Sequence, residues 1–243
     1  MAGKTSIECT DATWNPVTGC TRLSHGCTHC YAERMARRLT AMGNPRYRNG
    51  FDVTLHNDLV DLPLRWRRPR MIFVNSMSDL FHESVPLSFI ESLFSTMEAA
   101  HWHVFQVLTK RADRLAELAP RLHWPGNVWM GVTVEKQDYV WRVESLRQVP
   151  AAVRYLSCEP LLGPLQLDLT GIHWVITGGE SGPGARPMQI DWARSLRDQC
   201  QGAGVAFFLK QLGGAANKRG HERAVMDGRL WHELPCHSSS HGP

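Results

Sequence analysis

Three cysteines stand close together near the start of the chain, at positions 20, 27 and 30. Thiolates bind zinc and iron–sulfur clusters, and both groups ordinarily take four protein ligands. Three thiolates on a [4Fe–4S] cluster leave one iron open to a substrate or a cofactor, as an open position makes a zinc ion catalytic. The motif Cys20, Cys27 and Cys30 therefore indicates a metal centre that can do chemistry.

A structural zinc site is the alternative interpretation of the same loop. Zinc needs a fourth donor, and four residues are available for that role: Cys9, Cys158, His25 and His29. The sequence after Tyr31 has a helical pattern, so Cys27 and Cys30 are expected at a helix N-terminus, which favours anionic sulfur. Both metals are compatible with that position.

The elements that must position these cysteines alternate between strands and helices. Apolar runs of strand length recur at residues 71–76, 103–108, 128–134, 153–157, 173–177 and 205–209, with a short first strand at 13–17. Apolar residues at helical spacing fill 87–100, 111–119, 138–147 and 191–203. This alternation predicts parallel strands joined by right-handed crossovers, in a barrel or in a doubly wound sheet.

Polar or small residues follow almost every predicted strand. Ligands of parallel α/β folds bind at the carboxyl ends of the strands, so these residues should converge there. Helix capping explains any single cluster equally well, but six converging clusters favour a partial (β/α) TIM-like barrel. The clusters are Asn75, Ser76, Ser78 and Asp79; Thr109, Lys110 and Arg111; Thr133 and Glu135; Ser157 and Glu159; Gly178, Gly179, Glu180 and Ser181; Lys210 and Gln211.

Composition limits the class of protein. The 243 residues suit a single domain over residues 1–235, followed by a disordered tail at 236–243. Seven unevenly spaced cysteines without a signal-like N-terminus argue against a disulfide framework. No apolar segment approaches membrane-spanning length, so we expect a cytoplasmic protein without a membrane partner. The formal charge of +4 is compatible with a polyanionic partner.

Four separated segments resemble a phage-associated family with a three-cysteine motif, which itself resembles the radical S-adenosylmethionine (SAM) enzymes. They are residues 10–20, the three-cysteine loop with 31–33, residues 178–182 and residues 208–211. The resemblance extends from Ile7 to about Gly214. Six residues separate the first two cysteines where three are usual in radical SAM enzymes, so the loop should adopt a different conformation.

The resemblance implies that Cys20, Cys27 and Cys30 hold a [4Fe–4S] cluster whose open iron binds the amino and carboxylate groups of SAM. Reduction would then give methionine and a 5′-deoxyadenosyl radical. It also implies the residues that contact SAM: Asn75, Ser76 and Asp79 at the amino group, Glu135 at the ribose, and Lys110 or Arg111 at the carboxylate. Two glycines allow close backbone approach, so Gly178, Gly179 and Glu180 complete the expected cofactor site.

We therefore expect a radical SAM enzyme that modifies or isomerises a nucleobase, specifically a modified thymidine in phage DNA, within the host cytoplasm. Such a base must be flipped out or single-stranded to react. A flavodoxin- or ferredoxin-like electron donor is the expected protein partner, and no catalytic residue is assigned. Two other classes stay open. One is a zinc-bearing nucleic-acid-binding module without catalysis. The other is a hydrolase that holds a divalent ion with four carboxylates: Asp79, Glu135, Glu159 and Glu180.

Overall fold

The computed structural model of the chain describes residues 9–214 and 224–235. The strands in these ranges are β1 Ala12–Trp14, β2 Val17–Thr18, β3 Thr54–Leu55, β4 Met71–Val74, β5 Val104–Thr109, β6 Val128–Thr133, β7 Val153–Cys158, β8 Trp174–Gly178, β9 Ala206–Gln211, β10 Val225–Met226 and β11 Arg229–Leu230. The α-helices are α1 Tyr31–Ala41, α2 Leu87–Ala99, α3 Ala112–Leu118, α4 Arg142–Arg147 and α5 Ile190–Ala203. Short 3-10 helices lie at His25–Cys27, Pro45–Tyr47, Asn57–Leu59, Leu62–Arg65, Ala119–Arg121 and Gln137–Tyr139.

Seven strands form one parallel sheet in the order β1, β4, β5, β6, β7, β8, β9. This order never reverses along the chain, whereas a doubly wound sheet reverses at its switch point. Right-handed crossovers that all advance in one direction place their helices on the same face. The sheet therefore curls into a half-barrel, which confirms the predicted partial barrel and excludes the doubly wound alternative.

The two faces of the sheet have different cores. Along β6, Val128, Met130 and Val132 point outward into the large core beneath the helices. Trp129 belongs instead to a separate aromatic cluster on the concave face, in which the fully buried Trp174 is central. Ring centroids of Trp129, Tyr155 and Phe208 lie 6.1, 5.7 and 6.0 Å from that of Trp174. This cluster, the aromatic plug, fills the concave face.

A glycine makes room for the aromatic plug. A Cβ placed on Gly131 would lie 2.5 Å from the ring of Tyr155, far inside contact distance. The Tyr155 hydroxyl donates to the carbonyl of Val107 at 3.0 Å, which fixes the ring. On this face, polar side chains lie beyond the aromatic plug, at the carboxyl ends of the strands.

The predicted and observed elements differ mainly at their ends. The predicted strand at 71–76 stops at Val74, because Asn75 takes a left-handed conformation with φ of 61°. The predicted first strand at 13–17 is two short strands, and β2 pairs antiparallel with β3 rather than joining the large sheet. The predicted helix at 138–147 is a 3-10 turn followed by α4. The expected tail at 236–243 lies outside the described residues.

None of the helices in the two described ranges combines the length and the apolar composition needed to cross a bilayer.

Candidate active site

The cysteine loop, residues 19–30, runs across the carboxyl ends of the parallel strands. It begins at Gly19, whose N–H donates to the carbonyl of Met77 at 3.0 Å. Gly19 has a φ of +85°, and a Cβ there would lie 2.2 Å from the carbonyl oxygen of Asp52. Only glycine therefore allows the chain to enter the loop along this path.

Arg111 contacts the first cysteine of the loop. Its guanidinium donates to the Cys20 sulfur at 3.6 Å and to the Thr21 hydroxyl at 2.8 Å. The same group pairs with Asp79 Oδ2 at 3.2 Å and with both oxygens of Glu83 at 3.0 and 3.1 Å. Arg111 is only 5% exposed, so the chain places a buried cation beside a cysteine sulfur.

Asp79 forms a buried ion pair with Arg111 and is itself held by further hydrogen bonds. Its Oδ1 accepts from the Thr109 hydroxyl at 2.7 Å and from the N–H of Phe81 at 3.0 Å, and its Oδ2 also accepts from the N–H of Lys110 at 3.1 Å. Burial and the charge of Asp79 raise the pKa of Cys20 to about 11, and Arg111 opposes that rise. An unliganded Cys20 therefore stays a thiol at neutral pH, and a bound metal would have to displace its proton.

Glu135 contacts the middle of the loop. Its fully buried carboxylate accepts a hydrogen bond from the hydroxyl of Ser24, and the Ser24 oxygen also lies 3.8 Å from the Cys27 sulfur. The other carboxylate oxygen accepts from Arg142 at 2.8 Å. Gly26 crosses this side chain closely, since a Cβ there would lie 2.4 Å from Glu135 Oε1.

Glu180 contacts the end of the loop. Its Oε2 pairs with His29 Nδ1 at 2.9 Å, and Arg186 donates to both of its carboxylate oxygens. Arg186 also donates to the carbonyl of His25 at 3.0 Å. Burial raises the pKa of Glu180, but the hydrogen bonds from Arg186 and His29 dominate and lower it to about 2. This carboxylate is therefore ionised at any physiological pH.

The remaining residues of the expected SAM site also lie at this end of the sheet. The Asn75 side-chain amide nitrogen is buried and has no hydrogen-bond partner among the described residues. The Ser76 hydroxyl donates to Asn15 Oδ1 at 3.1 Å. A Cβ at Gly178 would lie 2.5 Å from Glu159 Oε1, and one at Gly179 would lie 2.4 Å from the carbonyl oxygen of Leu212. The space that a side chain would need at these glycines is therefore occupied by other residues of the chain.

The structure thus brings the predicted site residues to one end of the sheet but shows partners that the sequence did not reveal. Arg142 and Arg186 pair with the carboxylates, while Ser24 and His29 connect the loop to them. Ser24 and His29 lie between the cysteines in the sequence, so their position there could have indicated a role in the site. The two arginines lie in ordinary helical or loop sequence, and nothing in their spacing marks them.

The donor set does not form a site for a single zinc ion. In residues 9–214 and 224–235, no three Cys, His, Asp or Glu side chains converge to hold one metal ion. Cys158 lies in the outer core, whereas Cys9 lies against the aromatic plug. The imidazoles of His25 and His29 pair with Tyr139 and Glu180.

The same donors suit a cluster. In a [4Fe–4S] cluster each cysteine binds a different iron, so the sulfurs need not converge on one point. Cys20, Cys27 and Cys30 form no disulfide within the described residues. Arg111 lies beside the Cys20 sulfur, where its N–H group stabilises an anionic ligand.

The four carboxylates of the hydrolase hypothesis do not share a site either. Each faces its own cation, in the pairs Asp79–Arg111, Glu135–Arg142, Glu159–Lys210 and Glu180–Arg186. A divalent ion binds where several carboxylates meet without neutralising partners. This arrangement gives no support to a metal-dependent hydrolase.

Comparison with known proteins gives a family and a set of similar structures. A family model described as "Protein of unknown function (DUF5131)" matches residues 4–235. No curated protein matches the chain.

Solved structures of spore photoproduct lyase are similar in fold. One, complexed with dinucleoside spore photoproduct, has a TM-score of 0.47 and 12% identity, covering 82% of this chain and 63% of that one. A cysteine-to-serine mutant has a TM-score of 0.46 and 14% identity, covering 73% of this chain and 58% of that one. The chain therefore spans less than two thirds of the length of these proteins.

Proposed function

Since the chain belongs to the DUF5131 family, whose description assigns no function, we propose an activity from its site: it is a radical SAM enzyme. Cys20, Cys27 and Cys30 would hold a [4Fe–4S] cluster by three of its irons. When bound and reduced, that cluster would supply the electron that splits SAM into methionine and a 5′-deoxyadenosyl radical.

One observation carries this proposal. Three cysteines lie in a loop at the carboxyl ends of a parallel half-barrel. Arg111, Glu135 and Glu180, which follow β5, β6 and β8, bond to that loop at three places. Ligands bind at this end of parallel α/β folds. A loop that is connected so extensively gives its sulfurs defined positions, as a catalytic metal centre requires.

Among the residues proposed to contact SAM, the structure favours those with hydrogen-bonding capacity to spare. Asn75 has a buried amide without a partner among the described residues, and Lys110 reaches from β5 toward Glu135 at 3.9 Å. Ser76, Gly178 and Gly179 also stay in the proposed set. Their polar groups already have partners in the chain, because the Ser76 hydroxyl donates to Asn15, the Gly178 carbonyl accepts from Leu161, and both backbone groups of Gly179 bond to Gln211. Asp79, Glu135 and Glu180 already accept several hydrogen bonds each, so we propose that they act on SAM by holding the loop in place.

We propose a nucleobase in DNA as the substrate, specifically a modified thymidine in phage DNA, and an isomerisation or related modification as the outcome. The mildly basic charge of +4 supports a polyanionic substrate. A flavodoxin- or ferredoxin-like protein would deliver the electron. The cytoplasm, where thiols stay reduced, is the compartment that suits the three unpaired loop cysteines.

Anaerobic purification followed by iron and sulfide analysis tests the cluster. We expect brown protein with both elements, which forms 5′-deoxyadenosine and methionine from SAM when dithionite is added. Alanine at Cys20, Cys27 or Cys30 should abolish cluster assembly. Alanine at the core residue Cys200 should leave it intact.

Two results would contradict this function. Colourless protein that contains zinc and does not bind SAM would favour a nucleic-acid-binding module. Full iron content after replacement of a loop cysteine would show that the ligands are assigned wrongly. The DNA substrate is tested separately, because a protein that splits SAM but does not bind DNA at low salt would require another substrate.

A further inference from the structure

In the function proposed above Arg111 only helps to hold the cysteine loop in place, and its contacts suggest a further role. It follows β5, and all three of its guanidinium nitrogens are used by the chain. Nε donates to Glu83, one terminal nitrogen donates to Asp79 and the Cys20 sulfur, and the other donates to Thr21. The sequence suggested this arginine as a partner for the carboxylate of SAM. Its geometry directs it to the cysteine loop instead.

Hydrogen bonds to ligand sulfurs and the charge around a cluster set its reduction potential. Reduction adds one negative charge to a cluster that three thiolates already make anionic. A fixed cation beside a ligand sulfur therefore stabilises the reduced state more than the oxidised state. Because Arg111 is buried, water screens this effect only weakly.

Two carboxylates, Asp79 and Glu83, hold the arginine in position, and together their negative charges exceed its positive charge. Asp79 is buried beneath it, whereas the side chain of Glu83 is 65% exposed on its outer side. Solvent screens the charge of Glu83 more than that of the buried pair. Arg111 therefore acts on the cluster through its hydrogen bond to the Cys20 sulfur and through its proximity to that sulfur, not through a net positive charge of the three side chains.

We propose that Arg111 is a positioning residue that donates a hydrogen bond to the Cys20 sulfur and raises the reduction potential of the bound cluster. This inference rests on the proposed iron–sulfur function. It assigns to Arg111 the role of easing the electron transfer that must precede SAM cleavage.

The test is a redox titration of the anaerobically reconstituted protein, monitored by electron paramagnetic resonance. Arg111→Met should make the potential more negative by about 59 mV or more, which is a tenfold change in the one-electron equilibrium. Arg111→Lys keeps the charge but loses the planar group, so it should restore part of the difference.

Two further variants separate this role from structural damage. Arg37→Met removes the same charge from α1, the helix that follows the loop, but that side chain is 74% exposed and pairs with Glu33, so the potential should hardly change. Glu83→Gln removes an exposed negative charge beside Arg111, so the potential should become less negative. Opposite signs for the Arg111 and Glu83 variants are not expected from a general loosening of the loop.

The possible failures are distinguishable. Wild-type protein without iron and sulfide would overturn the proposed function itself. Wild-type protein with a cluster whose potential is unchanged in Arg111→Met would overturn this inference alone. If Arg111→Met assembles no cluster, the Arg111→Lys and Glu83→Gln potentials decide, and wild-type values in both would overturn the inference.

Discussion

At the scale of single residues, the acidic side chains at the strand ends pair with arginines within the chain, although their positions suggested that they bind a ligand. Asp79, Glu135 and Glu180 looked like ligands, because carboxylates at the carboxyl ends of parallel strands usually face a ligand. In the structure each one pairs with an arginine and reaches the cysteine loop directly or through that arginine. Their types and positions were predictable from the sequence, but their partners were not.

Glu180→Gln tests this use of a carboxylate. The substitution removes charged hydrogen bonds from Arg186 and His29, so we expect a loss of about 2 kcal/mol in the free energy of unfolding at neutral pH. The folded-state pKa of Glu180 is lowered from 4.5 to about 2. Its stabilisation is therefore complete above pH 4.5 and is lost as the pH falls toward 2.

Urea unfolding of both proteins from neutral pH down to about pH 3 measures the difference. The gap between wild type and variant should narrow as the solution becomes more acidic. Glu117→Gln is the control, because Glu117 is exposed on α3 and should change stability by less than about 0.5 kcal/mol. A gap that stays constant over the whole range would show that the charge of Glu180 contributes nothing.

At the scale of elements, the cysteine loop is an extended connection whose shape is fixed by the strands it crosses. It contains one 3-10 turn, His25–Cys27, and otherwise has no regular structure of its own. Its position depends on close contacts with residues that follow β6 and β8, and Gly26 lies so near Glu135 that no Cβ fits between them. We expect the loop to tolerate little extra volume there.

Gly26→Ala should weaken cluster binding without unfolding the protein. The new Cβ would meet Glu135 Oε1 at 2.4 Å, and Arg142 and Ser24 hold that carboxylate in place, so the loop must move. Iron retained per protein after desalting should fall severalfold, while circular dichroism stays unchanged. Gly126→Ala is the matched control, because nothing lies within 4 Å of its Cβ position.

Iron retention equal to that of wild type in Gly26→Ala would mean that the loop adapts freely to the larger residue. That outcome would also weaken the argument that the strand ends give the sulfurs their positions.

The strands and most helices followed from apolar periodicity, because a parallel sheet buried on both faces consists of short apolar runs. The local backbone conformations could not be predicted from apolar periodicity. Asn75 ends β4 through a positive φ that its residue type merely tolerates. The separation of β2 from β1 depends on its pairing with β3, residues 54–55, which periodicity in so short a segment cannot show.

At the scale of the whole molecule, the half-barrel is divided along its strands into an apolar part and a polar part. The aromatic plug of Trp129, Tyr155, Trp174 and Phe208 fills the concave face, and polar residues follow only at the carboxyl ends. This division gives the sheet a packed interior even though its edges, β1 and β9, do not meet. The plug should therefore contribute strongly to stability.

Trp174→Ala should cost about 3–5 kcal/mol in the free energy of unfolding, because it removes the ring that contacts three others. Urea titration followed by circular dichroism and fluorescence measures the loss. Trp141→Ala is the control, since that side chain is 45% exposed and should cost less than about 1 kcal/mol. Equal losses in the two variants would show that the plug is not a main source of stability.

The contacts of the cysteine loop join residues that are far apart along the chain. Arg111 lies 91 residues after Cys20, Glu135 lies 111 after Ser24, and Glu180 lies 151 after His29. During synthesis the three cysteines leave the ribosome well before any of these partners exists. Insertion of the proposed cluster into the finished arrangement would therefore be a late event in the life of the polypeptide, and a chain stalled before residue 180 would leave the three thiols without these partners.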